Sequence, residues 1–420
     1  MLIEVLKAAY DLYIQSKIDY DKAYEYYKGN TDAIKNYKMV TDRNNNKINT
    51  NFLKKFIKEE VSYSVGNDIT YISNSGNDNC INDIKYYFSG WAEDHDSKLA
   101  KNMLLYSKSY ELYYYNDNLE LFSKIINPRN GFVVKDEHDN IVYFAHVYSN
   151  SKGSFIDVYD KDNIYFFDTD FKEIKQRKPH IFGCVPVGIA EISEEDIDDT
   201  LYKDIKGLQD AYETNLSDIS NEISDFRNAY LVFSGCEIDE KTALSMKKDG
   251  IIQIPGSDGK AIWLIKNVND TFIQNTLSTI EDKMYQLTSH INHNEKMQSN
   301  TSSLALRSRL ISLEEKCKLN QKALTNCIKF RLKILFIFLK FNFNKEYDYR
   351  DIKIKYTPNI PQDDLMISQI ISQLGDKLST ETALSLLSFI ENPSLEIQKL
   401  KKELESQIEG SKILNGDNNE

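Results

Sequence analysis

The sequence predicts an α+β protein, with helical segments flanking a β-rich block and a second, smaller β insert. Three observations carry that expectation. Apolar residues recur every three or four positions over long runs toward both ends of the chain, as on one face of a helix. Between Ser109 and Asp168 the chain is dense in Tyr, Phe, Val and Ile, and turn formers interrupt it about every 8–12 residues, the signature of an antiparallel meander. Only 7 prolines occur in 420 residues, with none before Pro128, between Pro186 and Pro255 or between Pro255 and Pro358. Such gaps leave room for long helices.

Residues 1 to about 65 read as helices, with a polar turn at Asn44–Asn46 and apolar Phe52, Phe56 and Ile57 at helical spacing before a stop at Gly66. A polar loop at Ser73–Asn79 precedes helices over Ile81–Trp91 and Ser97–Ser107. The meander follows, closed by "GCVPVGIAEI". From Ile197 the helical period returns, and Ile205, Leu208, Tyr212, Leu216, Ile219, Ile223 and Phe226 form one apolar stripe. The opposite face is acidic, with Asp204, Asp210, Glu213, Asp218, Glu222 and Asp225. That face reads either as a solvated surface or as a negative wall that keeps DNA from adhering. "AYLVFSGCEI" and "GIIQIPGSDGKAIWLIKNV" read as short strands around a turn, and Asp270–His290 as a helix. Leu306, Leu310, Leu313, Cys317, Leu324, Ile328, Leu332 and Leu335 then mark one helix of about 40 residues, roughly 60 Å long. "DIKIKYTPN" at Asp351–Asn359 reads as a lone strand. A helical C-terminal part is punctuated by Gly375 and Pro393, and residues 409–420 read as a disordered tail.

Composition narrows the function. The chain is 41% hydrophobic and 28% charged, as expected of an ordinary globular protein of two or three domains, or of one with extensions. Its net charge of -12 disfavours a protein that grips nucleic acid tightly by neutralising phosphates, though not one that touches or conducts DNA. The 5 cysteines are odd in number and nowhere spaced as C-x-x-C, so neither a disulfide framework nor a zinc knuckle is expected. The N-terminus lacks the basic start and apolar core of a signal peptide. The most apolar run, "ILFIFLKFNF", is half the length needed to span a bilayer, and a soluble protein is expected.

Sites of chemistry are sparse. "GSDGKA" has two residues between its glycines and Ala261 after the lysine, so it reads as a turn rather than a phosphate loop. "HINHNE" puts His290 and His293 three apart but brings no third ligand. "DKDNIYFFDTD" lacks the glycine and closing Glu of a calcium loop. No nucleophile elbow or Cys/His motif is present. Neither a catalytic residue, a cofactor nor a metal is expected, and the chain does not read as an enzyme.

Several segments together resemble the portal (head–tail connector) proteins of tailed bacteriophages. They are "YYKGNTDAI", "NKINTNFLKKFIKEEVSYSVGNDITY", "LYSKSYELYYYND" followed by "INPRNGFVVKDE", "GLQDAYETNLSDISNEISDFRNAYLVFSG" and "STETALSLLSFIENPSLEIQKL". The resemblance is collinear from about Tyr26 to Leu400. It implies a portal-like fold with an α/β wing at 1–196 that includes the strand at 351–358. Stem helices would lie at 197–227 and 270–291, and a small β-containing clip at 228–269. A tunnel loop at 292–303, a tunnel helix at 304–345 and a helical crown at 359–408 would complete it.

The same resemblance implies a structural ring, usually of twelve copies, that conducts double-stranded DNA at one capsid vertex. Its expected partners are its own copies, the terminase large subunit, then the head–tail adaptor, and the major capsid and scaffold proteins, with no membrane. It would be assembled in host cytoplasm and end in the virion. DNA contacts would fall on Lys296, Gln298, Ser299, Asn300, Thr301 and Ser302, and on Arg307 and Arg309. The two arginines could equally pair with acids of a neighbouring subunit. Asp210, Glu213, Asp218, Glu222 and Asp225 would line the channel. Ser303 stands where the family often has glycine, so a flexible hinge is absent there, while Thr301 or Ser302 can cap the helix. Two other readings stay open: an oligomeric scaffold without DNA passage, and an enzyme using the β-rich block.

Overall fold

Local signals place the helices of the N-terminal half. Thr31, Asn51 and Asn77 each accept a hydrogen bond from the backbone N–H three residues on, which starts a helix by satisfying one of its orphan donors. The computed structural model describes residues 2–38, 45–226, 230–234, 239–249, 259–264, 270–292, 303–358, 364–387, 390, 393 and 396–405.

In order, the elements are α1 (Leu2–Lys28), α2 (Asp32–Asn36), α3 (Phe52–Val65), β1 (Thr70–Ser73), α4 (Asp78–Phe88), α5 (His95–Tyr106), β2 (Lys108–Tyr115), β3 (Leu121–Ile126), β4 (Gly131–Lys135), β5 (Ile141–Asn150), β6 (Gly153–Tyr159), β7 (Asn163–Asp168), β8 (Glu173–Pro179) and β9 (Val187–Glu191). They continue with α6 (Leu201–Phe226), β10 (Tyr230–Ser234), α7 (Glu240–Asp249), β11 (Lys260–Leu264), α8 (Asp270–Thr288), α9 (Ser303–Phe343), β12 (Ile352–Lys355), α10 (Asp364–Leu374) and α11 (Thr380–Ser385). The fold is mixed helix and sheet, in agreement with the α+β expectation.

The meander is an antiparallel five-stranded sheet in sequence order, β4 to β8. A second sheet has the order β3-β2-β9, so "GCVPVGIAEI" closes the block by pairing with its first strand. The strand after α9 is not alone, contrary to expectation: β12 pairs antiparallel with β1, Thr70 opposite Lys355. Periodicity exposes a strand but not a partner so distant in sequence. The β insert does hold an antiparallel pair, β10 with β11, but it also carries α7, which the sequence reading missed. Its "EKTALSMKKD" is too polar to show an apolar stripe. Gly66 does end α3, but in right-handed conformation, so its freedom at positive φ is not used.

The helix α9 is 41 residues long, as the stripe predicted. Leu313, Cys317, Leu324, Ile328, Leu332 and Leu335 are all buried. Two cores share it. Ala323, Leu324, Cys327 and Ile328 join a cluster with residues of α1, α3, α5, α6 and α8. Leu332 to Leu339 join another with Cys80, Ile84, Tyr113, Leu121, Phe182 and Ile352. A third cluster seats Leu6 and Tyr13 of α1 on one face of the five-stranded sheet.

The chain divides into two compact units, Met1–Gln298 with Ser308–Pro358, and Ser299–Arg307 with Asn359–Glu420. In the second, Ser379 caps α11 by accepting from Thr382 N at 3.3 Å.

Candidate functional site

The acidic side of α6 is where the sequence placed chemistry. Gln209, Glu213, Ser217 and Asn221 lie at intervals of four, so they stack on one face of the helix. All four are fully buried. Each accepts one backbone N–H from the segment that leads into α3 or from the first turn of α3 itself. Asn46 N donates to Asn221 Oδ1 (2.7 Å), Ile48 N to Ser217 Oγ (2.9 Å), Thr50 N to Glu213 Oε1 (3.0 Å) and Leu53 N to Gln209 Oε1 (3.3 Å). The segment runs antiparallel to the helix. Its N–H groups on one side recur about every 6.6 Å in an extended chain, and four helical residues rise about 6 Å. That near match lets one helix face serve as a strand partner for residues 46–50. We call this segment the strap.

The centre of the ladder is Glu213. Besides Thr50 N it receives the hydroxyls of Thr31 and Thr50 and Nε2 of Gln209 (3.2 Å). Its charge is met by dipoles. Asp210, three residues before Glu213 on the same helix, accepts the Tyr26 hydroxyl (2.7 Å) and Ala33 N (3.2 Å), with Lys206 at 3.4 Å. Asp32 stands between Lys22 and Lys206. Burial pushes its carboxyl up, but the two ammonium groups outweigh that and hold it at about 2. Tyr37 donates to Asp218 (2.7 Å) and accepts from Asn221 (3.0 Å).

This geometry corrects the channel-wall expectation for Glu213, which is fully buried against the strap. Hydropathy reads a polar row as solvated, whereas this row is covered by backbone donors. Asp218 stays exposed and Glu222 half-buried, while the Asp225 side chain lies outside the described residues. Lys296, Gln298, Ser299, Asn300, Thr301 and Ser302 also lie outside them. Arg307 and Arg309 sit on the first turns of α9, and their side chains lie outside the described residues. His290 is a core residue: buried, its ring tilted against that of Phe56, its ring nitrogens at the carbonyls of Thr288 (2.9 Å) and Phe56 (3.1 Å). His293 lies outside the described residues. Among the described residues no group of three acids, histidines or cysteines could hold a metal. Among them too, no helix is long and apolar enough to cross a membrane.

Sequence reasoning missed a second polar centre. Glu111 of β2 is fully buried. It accepts the Tyr113 hydroxyl (2.9 Å) and the Ser123 hydroxyl (3.0 Å), with His95 Nε2 at 2.8 Å and Arg331 Nε of α9 at 2.9 Å. Arg331 Nη2 also donates to Asp96 (2.6 Å), and its guanidinium lies over the rings of Phe88 and Trp91. Burial would raise the Glu111 carboxyl, but Arg331 and then His95 outweigh it and hold it at about 2. The available signal was a lone arginine in the apolar run "CIKFRLKILFIF".

Residues 7–410 match the family model described as phage portal protein, SPP1 Gp6-like. The portal protein of Bacillus phage SPP1 is 24% identical to this chain, over 88% of the chain and 79% of the relative. Among solved structures, a chain from the virion of a native gene transfer agent particle matches with a TM-score of 0.43 and 11% identity, over 80% of this chain and 89% of that one. A chain from the neck of the native particle, computed with C12 symmetry, matches with a TM-score of 0.44 over the same shares at 11% identity.

Proposed function

The chain belongs to the SPP1 Gp6-like family of phage portal proteins, and from that premise we propose that it forms a ring at one capsid vertex through which double-stranded DNA enters and leaves. The family match over residues 7–410 carries this reading. Two features of the structure support it. The helices α6 and α8 pack on each other and hold the β10–β11 pair and α7 between them in sequence, as a stem bearing a clip would. A 41-residue helix begins directly after the small polar segment at 293–302, as a tunnel helix after its loop would.

In this reading residues 1–196 with 351–358 form the wing, 197–227 and 270–291 the stem, 228–269 the clip, 292–303 the tunnel loop, 304–345 the tunnel helix and 359–408 the crown. The clip meets the terminase motor during packaging and the head–tail adaptor afterwards. Major capsid and scaffold proteins are the ring's further partners, and the finished ring resides in the virion. Twelve copies are expected. Lys296, Gln298, Ser299, Asn300, Thr301 and Ser302 touch the DNA backbone by hydrogen bonds and a single charge. Weak contacts suit a loop along which DNA slides, because every neutralised phosphate adds to residence. Arg307 and Arg309 add phosphate contacts or pair with acids of a neighbouring subunit. Asp218, Glu222 and Asp225 repel the duplex from the stem.

Electron microscopy of negatively stained protein tests the ring: closed rings with a hole at least as wide as a duplex are expected, and a monodisperse monomer would sink the proposal. Deleting Gln298–Ser302 should leave rings intact while impairing DNA packaging or retention. Loss of the rings on deletion would make the loop structural and remove the DNA-contact assignment.

A further inference from the structure

Between Lys316 and Lys345 the chain carries eight cations and no carboxylate, in a protein of net charge -12. Three of the eight are paired with other elements of the fold: Lys316 with Glu60 (2.8 Å), Arg331 with Asp96 and Glu111, and Lys345, at the surface, with Asp83 (2.8 Å). The other five, Lys318, Lys322, Lys329, Lys333 and Lys340, follow intervals of four, seven, four and seven. At 3.6 residues per turn they fall within about 60° of arc on one face of α9. Four are exposed and Lys333 is half-buried. Their partners among the described residues are slight. Lys318 meets Glu314 (2.8 Å) and Lys340 meets Glu346 (2.6 Å), both on the surface, where an ion pair contributes little and is readily exchanged.

The stripe is not a bare cationic face. Leu319 and Phe341, 63% and 67% exposed, border it along one edge, and half-buried Ile337 continues that edge. Between Lys333 and Lys340 lies a cleft of about 250 Å³ walled by Phe336, Ile337, Tyr347 and Tyr349, with Glu346 at its rim. A surface that tracks duplex phosphates is polar and strongly basic. A cleft with two ammonium groups and apolar walls instead suits carboxylate side chains of a protein segment that also buries some apolar surface.

The chain itself supplies such a segment. Glu194, Glu195, Asp196, Asp198 and Asp199 crowd the turn before α6. Asp196 is held by Lys108 (2.7 Å) and Tyr20, and Asp198 meets Lys203 (2.7 Å) on the surface. Glu194, Glu195 and Asp199 are exposed. Among the described residues no ion pair joins this run to the stripe. Ile197 roots the run in the cluster shared by α1, α3 and α5, whereas the cleft end of α9 is rooted in the cluster around Ile84 and Tyr113. Two complementary surfaces on different elements of one chain make a heterologous contact, and a heterologous contact repeats into a ring when its rotation closes.

We propose that the lysine face of α9, with the cleft between Lys333 and Lys340, docks the acidic run Glu194–Asp199 of a second copy of this chain. This deepens the ring reading and rests on it. The charge pairing fixes the register of neighbours, and the bordering apolar residues are covered on docking.

A charge swap tests it. One variant carries Lys329→Glu, Lys333→Glu and Lys340→Glu, another Glu194→Lys, Glu195→Lys and Asp199→Lys, and a third carries all six. Sedimentation velocity of wild-type protein should show rings whose yield falls with added salt. Each triple variant should lose rings by more than about tenfold, and the sixfold variant should recover most of them. Circular dichroism and thermal melting establish that each variant is folded. Wild-type protein that never leaves the monomer overturns the ring reading itself. Wild-type rings with unchanged rings in either triple variant, or no recovery in the sixfold variant, overturn this proposal alone. So do normal rings with weakened binding of a fluorescent DNA duplex, which would assign the stripe to DNA.

Discussion

Glu111 and Glu213 are both fully buried carboxylates, and the fold satisfies them in opposite ways. Glu111 faces a buried guanidinium, an imidazole and two hydroxyls, contributed by β2, β3, α5 and α9. Glu213 faces a backbone N–H, two threonine hydroxyls and a glutamine amide, contributed by α6, the start of α2 and the chain leading into α3. The first arrangement is a clamp. It ties the long helix to a sheet through charges that cannot be left alone, since an unpaired buried ion costs several kcal/mol. The second is a ladder. It spreads one charge over several dipoles, each of which can regain a water partner if the strap lifts. The clamp therefore belongs to what stays rigid in the chain, and the ladder to what can open locally at modest cost.

The largest expected effect breaks the clamp. Arg331→Met removes the guanidinium and leaves Glu111 buried without its main counter-charge, which should cost about 3–5 kcal/mol in chemical or thermal unfolding. Adding Glu111→Gln should return part of that loss, because the orphaned charge is then gone. A double variant no better than the single would show that Arg331 acts through packing on Phe88 and Trp91 alone. At the ladder, Glu213→Gln keeps the shape but turns an amide N–H₂ toward hydroxyl or backbone donors. A cost of about 1–3 kcal/mol is expected. It should be local: hydrogen exchange should quicken at Ile48 and Thr50 while the amides of α9 keep their protection. Uniform loss across the chain would make the ladder a second clamp.

The contrast also separates what the sequence disclosed from what it hid. Helical period revealed the long α9, and turn formers spaced between β-rich runs revealed the antiparallel meander, though not its division between two sheets. The acids of α6 were placed on the right helix, yet Glu213 was turned the wrong way. A polar residue is read as solvated unless its donors are known, and all of these but Gln209 come from positions 31 and 50, far away in the chain. The lone arginine of the clamp and the pairing of β1 with β12 were hidden for the same reason, since each is defined by its partner. The small polar segment before α9 was legible only as a composition, and its proposed role as a tunnel loop rests on family membership.

Asp157 is a half-buried acid of a third, weaker kind and gives the smallest of these effects. It sits on β6 opposite His146 of β5, and its hydrogen bond comes from Tyr148 (3.2 Å). With neither clamp nor ladder, burial wins: its carboxyl is pushed up to about 6, against the pull of Tyr148, Lys124 and Lys175. Burial, aided by Lys124, drives the His146 imidazole down to about 4. The two work against each other. From about pH 4 to 6 the unfolded chain gives up the Asp157 proton first, so stability falls as pH rises. From about pH 4 to 6.5 the unfolded chain holds the His146 proton longer, so stability rises as pH rises. Wild-type stability should thus be nearly flat across this window as far as this pair is concerned. Asp157→Asn removes the falling part. The variant should be more stable than wild type at pH 7 by about 1 kcal/mol, a figure that allows for solvent screening of a partly exposed group. Its stability should then climb between pH 4 and 6.5. A variant that is less stable at pH 7 would show that Lys124 and Lys175 hold Asp157 ionised, and that a third clamp, built from two lysines, exists on the sheet.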